Sequence, residues 1–140
     1  VLACKKMVSD DEYDRYGVVA GEEADDTTIK VAKFVEKPGK ADAPSDLASV
    51  SGYLLTPEVF EYIDRASHAH DGNGELMIQP IMQQMIDDGF GVYAREITGG
   101  KYYDTGDKLE YLKTLIDFGL EHPVLGPELD SYIKKKYNQK

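Results

Sequence analysis

The sequence predicts a domain of the α/β or α+β class, because two kinds of pattern alternate along it. Short runs of β-branched and aromatic residues are interleaved with longer stretches whose apolar residues recur at helical spacing. The chain has 140 residues, of which 41% are hydrophobic and 30% are charged. This balance is typical of one globular domain with its own hydrophobic core.

The composition excludes several classes of function. The net charge is −10, which lacks the basic footprint of a nucleic-acid-binding protein. No apolar run is long enough to span a bilayer, and nothing resembles a secretory signal. Cys4 is the single cysteine, which excludes an intramolecular disulfide and suits a reducing compartment. We therefore expect a cytoplasmic protein that binds neither nucleic acid nor membranes.

The first 55 residues predict strands with one helical turn between them. Ser9 and Glu12 form a helix-start signature, and Pro38 ends the third strand. Gly17, near the start of the second strand, indicates either a bulge or a close backbone approach by another group. An apolar strand at the very start predicts a fragment or a processed product. The predicted strands are 1–4, 16–19, 29–36 and 47–55, with a hairpin tip at 21–28 and a loop at 39–46.

The remaining residues predict helices and two further strands. Thr56 and Pro57 suit an N-cap and the first helical position. Pro80 is expected to begin its helix, because proline in a helix interior costs about 3 kcal/mol. Gly89 is expected to end that helix. The predicted helices are 56–66, 80–88, 107–121 and 128–137, and the predicted strands are 90–97 and 101–103.

Two predicted strand ends carry residues suited to a sugar-phosphate site. Glu36 and Lys37 are adjacent where the third strand meets proline. A carboxylate accepts hydrogen bonds from sugar hydroxyls, and an ammonium group binds phosphate as a compact point charge. On spacing alone, an exposed acid–base pair is the better interpretation of these two residues.

The third candidate is Asp104, which follows two tyrosines and precedes a glycine turn. Such a carboxylate suits Mg²⁺, which takes one or two carboxylates together with substrate phosphates. The alternative is that Asp104 caps the next helix, although Asp107 is better placed for that. We expect Glu36, Lys37 and Asp104 to converge on one cleft.

An ordered set of motifs resembles the bacterial UTP–glucose-1-phosphate uridylyltransferases. Glu-Lys-Pro at 36–38 is shared by many sugar nucleotidyltransferases. The Pro-Ser-x-Leu-Ala run at 44–48 and the Asp-x-Gly-x-Lys-Leu-x-Tyr run at 104–111 are specific to the uridylyltransferase branch. The other matching motifs are Tyr-Gly-Val-Val at 16–19, Gly-Glu-Leu at 74–76 and His-Pro-Val-Leu-Gly at 122–126. The similarity covers nearly the whole chain.

The resemblance implies the C-terminal part of a Rossmann-like sugar nucleotidyltransferase fold, with a mixed sheet flanked by helices. It implies that glucose 1-phosphate attacks the α-phosphorus of UTP, so that UDP-glucose forms and pyrophosphate leaves. By motif, Gly17 and Gly52 contact the sugar, Glu36 binds sugar hydroxyls and Lys37 binds the phosphate. Asp104 is the implied Mg²⁺ ligand, and Lys37 and Asp104 are the implied catalytic residues. This chemistry relies on positioning and charge neutralisation rather than on a nucleophilic side chain.

The resemblance also implies a division of the chain. Residues 1–122 correspond to the sugar-phosphate-binding half of the nucleotidyltransferase domain, and residues 123–140 to a helical extension suited to homo-oligomer contacts. The family's glycine-rich nucleotide loop and its first metal-binding segment have no counterpart here, so the chain alone is expected to be inactive. Gln79 and Pro80 replace the family's Thr-Asp, and Gly52 is shifted by one position relative to the family's glycine.

Two alternatives stay open. The first is a nucleotidyltransferase for another nucleotide or another sugar, since base choice lies in the part that this chain lacks. The second is a non-catalytic module that binds a sugar phosphate or serves assembly. In that case Tyr111, Leu115, Phe118 and Tyr132 of the last helices are expected to pack against a second subunit.

Overall fold

The computed structural model describes residues 1–138. The chain divides into two compact units, Val1–Gly100 and Lys101–Lys140. The boundary between these units falls earlier than residue 122. The functional division at residue 122 stays a prediction, because it concerns ligand binding and assembly rather than compactness.

A five-stranded mixed sheet forms the centre of the first unit. Its strands are β1 (Leu2–Lys6), β2 (Gly17–Asp25), β3 (Thr28–Glu36), β4 (Leu47–Tyr53) and β5 (Tyr93–Glu96). The strand order is β1-β4-β2-β3-β5, and β5 pairs back with β1, so the sheet closes on itself. The β1–β5 pair is parallel and the other pairs are antiparallel.

The mixed α/β architecture is therefore confirmed, whereas the Rossmann-like detail is not. A Rossmann-like sheet is open and mostly parallel. Here β1 and β5, which would otherwise be edge strands, pair with each other. Closure of this kind pairs the two strands that would otherwise form the outer edges of the sheet.

The helices of the first unit are a 3₁₀ helix at Asp10–Asp14, α1 (Gly39–Asp42), α2 (Val59–Ala69) and α3 (Ile78–Asp87). One apolar cluster joins the strands to α2 and α3. Phe34 of β3 and Met82 of α3 are both buried in it. Tyr62 of α2 stacks edge-on against Phe90 at a centroid distance of 5.7 Å. The packing of α3 against β3 thus orders the strand that leads to Glu36.

Three predictions for the strands and the loops between them are corrected. The hairpin tip is only two residues long, because β2 extends through exposed acidic residues to Asp25. Thr27 stabilises the tip, its N–H and hydroxyl donating to Asp25 Oδ1 at 2.9 and 3.1 Å. The predicted loop at 39–46 contains the single turn α1, where Lys40 Nζ donates to the Tyr13 hydroxyl at 3.2 Å. The predicted strand at 90–97 shortens to β5.

Two helix starts are also corrected. Pro80 is the third residue of α3 rather than its first. It still lies in the first turn, where its missing N–H has no intrahelical acceptor to lose. Thr56 and Pro57 precede α2, which has Glu58 as its N-cap; their carbonyl oxygens accept from the N–H groups of the first two helical residues at 3.2 and 3.1 Å. Gly89 follows α3 with a φ of 93°, as its predicted role requires.

The second unit contains α4 (Lys108–Glu121) and α5 (Gly126–Tyr137). Residues 101–103 form no strand, contrary to the prediction. Side chains hold this segment to α4 instead: Lys101 forms an ion pair with Asp117, and the Tyr103 hydroxyl donates to the same carboxylate at 3.3 Å. The ion pair with Lys101 lowers the pKa of Asp117. Among residues 1–138, no helix combines the length and the apolar character that crossing a membrane requires.

Glu12 is a buried charged residue that joins β1 to the turn before β2. Its carboxylate pairs with Lys5 and accepts the backbone N–H groups of Val8 and Ser9 at 2.7 and 3.4 Å. Burial alone raises the pKa of Glu12, but the hydrogen bond from Lys5 and those from the backbone outweigh it and lower the pKa overall. The carboxylate therefore holds both ends of this turn.

We expect Glu12→Gln to lower the free energy of unfolding by about 2 kcal/mol, because it removes the buried negative charge that pairs with the Lys5 ammonium group. Since folding lowers the pKa of Glu12, its contribution is present above the unfolded pKa of about 4.3 and is lost as the pH falls below it. Urea unfolding at pH 7 and pH 3 measures both effects. Glu22→Gln, at an exposed position of β2, is the control. An equal deficit at the two pH values would contradict this account of Glu12.

Candidate functional site

Gly17 lies at the centre of a row of residues that crosses three strands. It is directly opposite Glu36 of β3 on one side and Ser49 of β4 on the other. Directly opposite residues of antiparallel strands project to the same face of the sheet. We call these three residues the Gly17 row. The register of β2 is regular from Gly17 to Ala20 and shifts at two later points, between Ala20 and Gly21 and between Glu23 and Asp25. Gly17 therefore marks a close approach of neighbouring groups, and the irregularities of the strand lie elsewhere.

The missing side chain of Gly17 makes room for its neighbours. A Cβ atom at this position would lie 2.8 Å from Phe34 Cε2, 2.9 Å from Glu36 Oε2 and 3.4 Å from Gln79 Cγ. The first two distances are shorter than real carbon contacts allow. Any side chain at residue 17 would therefore displace the Glu36 carboxylate, and the structure brings these two predicted site residues together.

The Glu36 carboxylate is only partly satisfied. Its Oε1 lies 3.5 Å from Lys37 Nζ, whereas Oε2 is buried and has no hydrogen-bond partner among the described residues. Leaving a buried polar atom without a partner costs about 1–3 kcal/mol, and more for a charged group. Native proteins rarely keep such an atom without a functional reason. A hydroxyl group of a ligand would supply the missing donor.

Lys37 has a strained backbone. Its φ is 44°, and among the described residues it is the one non-glycine residue with a positive φ. Its N–H donates to the carbonyl oxygen of Tyr16 at 3.2 Å, which fixes the end of β3 against the start of β2. A left-handed conformation costs a non-glycine residue about 1–2 kcal/mol, and strain of this kind concentrates at functional sites. The Lys37 side chain is half exposed, so its ammonium group is accessible to a ligand.

Gly52 lies on the other face of the sheet. Its neighbour is Ala3, whose side chain points away from the face of Cys4 because side chains alternate along β1. Cys4 is the β1 residue directly opposite Ser49, so Gly52 faces away from the Gly17 row. A Cβ atom at Gly52 would lie 2.8 Å from Ala3 Cβ. It lines a cavity of about 610 Å³ whose walls include Leu54 and Ile97. The structure does not bring Gly52 to Glu36 and Lys37, and its role as a sugar contact stays a prediction.

Asp104 lies in the second unit, whereas Glu36 and Lys37 lie in the first. Its Oδ1 accepts the N–H of Gly106 at 3.1 Å, which orients the half-buried carboxylate. Asp107 caps α4, accepting two backbone N–H groups at 2.9 Å. The prediction that Asp107 rather than Asp104 caps this helix is therefore confirmed. The convergence of Asp104 with Glu36 and Lys37 stays a prediction.

The chain does not contribute a complete metal centre within the part that the structure describes. No group of three or more His, Cys, Asp or Glu residues there is placed to hold a metal ion. Nucleotidyltransferases of this kind generally use a divalent metal. Since Mg²⁺ in nucleotide sites takes one or two carboxylates and completes its shell with phosphates and water, Asp104 fits as a single ligand.

Two neighbours of the predicted site were not found from the sequence. Ser49 is buried, and its hydroxyl has no hydrogen-bond partner among the described residues. Gln83 of α3 accepts the N–H of Phe34 at 2.7 Å and donates to the carbonyl oxygen of Ala32, which holds β3 close to its end. Strand alternation could have predicted that Ser49 faces inward, because it stands two residues after Leu47, which is buried. Nothing in the local sequence predicts the role of Gln83, because its hydrogen-bond partners are about 50 residues away.

Comparison with known proteins identifies the family. A family model described as nucleotidyl transferase matches residues 2–118. A UTP–glucose-1-phosphate uridylyltransferase of Streptococcus pneumoniae is 40% identical over 127 residues, which make up 90% of this chain and 41% of that protein. One from Staphylococcus haemolyticus is 36% identical over 121 residues, or 86% of this chain and 41% of that protein. The resemblance inferred from the motifs is confirmed.

Solved structures agree with this assignment. The UTP-bound UGPase from Acinetobacter baumannii has a TM-score of 0.76 and 30% identity, covering 94% of this chain and 44% of that chain. A UDP-glucose pyrophosphorylase complexed with UDP-glucose has a TM-score of 0.72 and 28% identity, covering 96% of this chain and 44% of that chain. This chain spans about 41% of the length of the curated relatives that it matches. Because the family model covers most of its residues, the chain belongs to the nucleotidyl transferase family.

Proposed function

We propose that the chain is the C-terminal, sugar-phosphate-binding part of an enzyme that makes UDP-glucose and pyrophosphate from UTP and glucose 1-phosphate. The names of its relatives support this reaction. The observation that carries the proposal is Glu36 Oε2, which is buried beside Gly17 and has no hydrogen-bond partner among the described residues. That oxygen needs a hydrogen-bond donor, and a sugar presents several.

The residues of the chain then act by positioning. Glu36 accepts hydrogen bonds from sugar hydroxyls and fixes the orientation of glucose 1-phosphate. Gly17 lets the sugar approach the backbone of β2. The exposed ammonium group of Lys37 neutralises charge on the phosphate whose oxygen attacks UTP. Holding the reacting atoms in line and neutralising their charge is sufficient for this chemistry, so no side-chain nucleophile is required.

The proposed metal is Mg²⁺, with Asp104 as one ligand. When bound, the ion would neutralise charge on the phosphate groups, and Asp104 would be the residue of this chain that holds it. The hydrogen bond from Gly106 holds the Asp104 carboxylate in one orientation, which favours ligation. We also propose that residues 1–122 bind the sugar phosphate and that the enzyme is cytoplasmic.

We further propose that the complete protein is a homo-oligomer whose contacts involve residues 123–140 and α4. Both helices of the second unit carry exposed apolar side chains, which favours association. Sedimentation velocity of the complete protein distinguishes a monomer from an oligomer. The exposed residues are Tyr111, Leu115, Phe118 and Tyr132.

A chimera tests the proposed reaction. In the chimera, this chain replaces the matching segment of the Streptococcus pneumoniae relative, and the unaltered relative is the positive control. We expect the chimera to form UDP-glucose from UTP and glucose 1-phosphate only when a divalent cation is present. Comparing dTTP and other sugar phosphates as substrates distinguishes the alternative specificities. A folded chimera without this activity would contradict the proposal.

Glu36→Gln in the chimera is expected to lower kcat/KM for glucose 1-phosphate by about 10- to 100-fold, because a hydrogen bond to a charged group contributes about 1.5–3 kcal/mol. Steady-state kinetics with varied sugar phosphate measure the loss. The matched control is Glu22→Gln on the exposed part of β2, which should leave kcat/KM unchanged. Equal kinetics for the two variants would remove Glu36 from the site.

A further inference from the structure

Ser49 is the third member of the Gly17 row and has no role in the proposed chemistry so far. Its side chain is buried, with 8% of the residue exposed, and its hydroxyl has no hydrogen-bond partner among the described residues. A hydroxyl in such a position pays a desolvation penalty that alanine would avoid. The same is true of Glu36 Oε2 on the other side of Gly17.

The two unpartnered oxygens therefore belong to one row of the same sheet face. Gly17 lies directly opposite both residues, so the two side chains flank the position where Gly17 has none. Neighbouring strands are about 4.8 Å apart, which places the backbones of Ser49 and Glu36 about 10 Å from each other. The space above Gly17 is lined by atoms of Phe34, Glu36 and Gln79, so a hexose that contacts both side chains has to displace the Gln79 side chain.

We propose that the Ser49 hydroxyl is a second polar contact for the hexose and helps to select among sugar phosphates. This inference rests on the proposed function. Glu36 acts as a hydrogen-bond acceptor for one side of the ring. Ser49, which can both donate and accept, contacts a different hydroxyl on the other side. A site built to hydrogen-bond a hydroxyl rejects an analogue that lacks it, because its own polar group is then left unpartnered.

Gln79 lies beside the Gly17 row. The Gln79 side chain is half buried at the start of α3, and its Cγ is the third atom that a Cβ at Gly17 would meet, at 3.4 Å. Unlike the backbone atoms of the sheet, this flexible side chain can change rotamer when a ligand enters. The enclosed state of Ser49 and Glu36 Oε2 is therefore compatible with binding.

Ser49→Ala in the 140-residue chain tests the inference through two readouts. Removing an unsatisfied hydroxyl is expected to raise Tm by a few degrees. The same change is expected to weaken binding of glucose 1-phosphate by about 3- to 10-fold in calorimetry. Binding of one monodeoxyglucose 1-phosphate, the analogue that lacks the contacted hydroxyl, should not change.

Ser45→Ala is the matched control. The Ser45 hydroxyl is satisfied, because it donates to the Val19 carbonyl oxygen at 2.5 Å and accepts the Leu47 N–H at 2.9 Å. Its loss should lower Tm and leave the preference among the deoxy sugars as in the unaltered chain. A rise in Tm combined with a selective loss of affinity is the pattern that a purely structural serine does not produce.

The outcomes separate the two levels of the proposal. If Glu36→Gln weakens binding of glucose 1-phosphate and Ser49→Ala does not, the Ser49 contact is wrong and the proposed function stands. The Ser49 contact is equally wrong if all the deoxy sugars lose affinity to the same extent. If the unaltered chain binds none of these sugars, the proposed sugar site and the Ser49 contact fall together.

Discussion

Gly21→Ala is expected to lower the free energy of unfolding of the first unit by about 3 kcal/mol. A Cβ atom at Gly21 would lie 1.9 Å from the Lys30 carbonyl oxygen and 2.9 Å from Val31 Cα. Both are backbone atoms of β3, so no change of rotamer removes the clash. The register of the β2–β3 pair shifts between Ala20 and Gly21, and the new side chain would have to separate the strands at this bulge.

Urea unfolding followed by circular dichroism measures this loss, because the chain contains no tryptophan to report by fluorescence. Gly100→Ala is the control. A Cβ atom there meets nothing closer than Ile97 Cγ2 at 3.7 Å, an ordinary contact. Its effect is expected to stay within about 0.5 kcal/mol. Equal stability of the two variants would show that the backbone of β3 at Lys30 can move aside for a side chain at residue 21. The bulge would then not depend on glycine.

Gly21 also shows what the sequence could not supply. It stands in an acidic, turn-rich run, and these local signals predicted a hairpin tip. The actual constraint comes from Lys30, nine residues later, and depends on strand pairing. Periodicity predicted most strands and helices because it reflects local burial. The parallel pairing of β5 with β1 joins residues about 90 positions apart, so closure of the sheet was beyond local patterns.

The candidate site also has one part that the sequence predicted and one part that depends on strand pairing. The motif at Glu36 and Lys37 identified the residues, since residue type and order are present in the sequence. The sequence did not show the state of those residues. Glu36 Oε2 is enclosed beside Gly17 without a hydrogen-bond partner among the described residues, and Lys37 has a positive φ while its N–H donates to the Tyr16 carbonyl oxygen. These features come from the pairing of β2 with β3. They are the features that turn an ordinary acid–base pair into a candidate binding site.

Lys37 combines a charge with backbone strain, and three substitutions separate their contributions. In the chimera, Lys37→Ala and Lys37→Gly are each expected to lower kcat/KM for glucose 1-phosphate by about 10- to 100-fold, because both lose the ammonium group that binds phosphate. Lys37→Arg keeps the positive charge and should lose less, although a planar guanidinium does not reproduce a point charge. Steady-state kinetics with varied glucose 1-phosphate compare the three.

The stability of the same variants reports on the strain. At a φ of 44°, glycine avoids the steric cost that alanine meets, so Lys37→Gly should be about 1 kcal/mol more stable than Lys37→Ala. Urea unfolding of the 140-residue chain measures this difference. If the reaction needs the ammonium group of Lys37, Lys37→Gly should be more stable than Lys37→Ala but should have an equally low kcat/KM. Recovery of activity in Lys37→Gly would mean that the backbone turn, rather than the ammonium group, is what the reaction uses at this position.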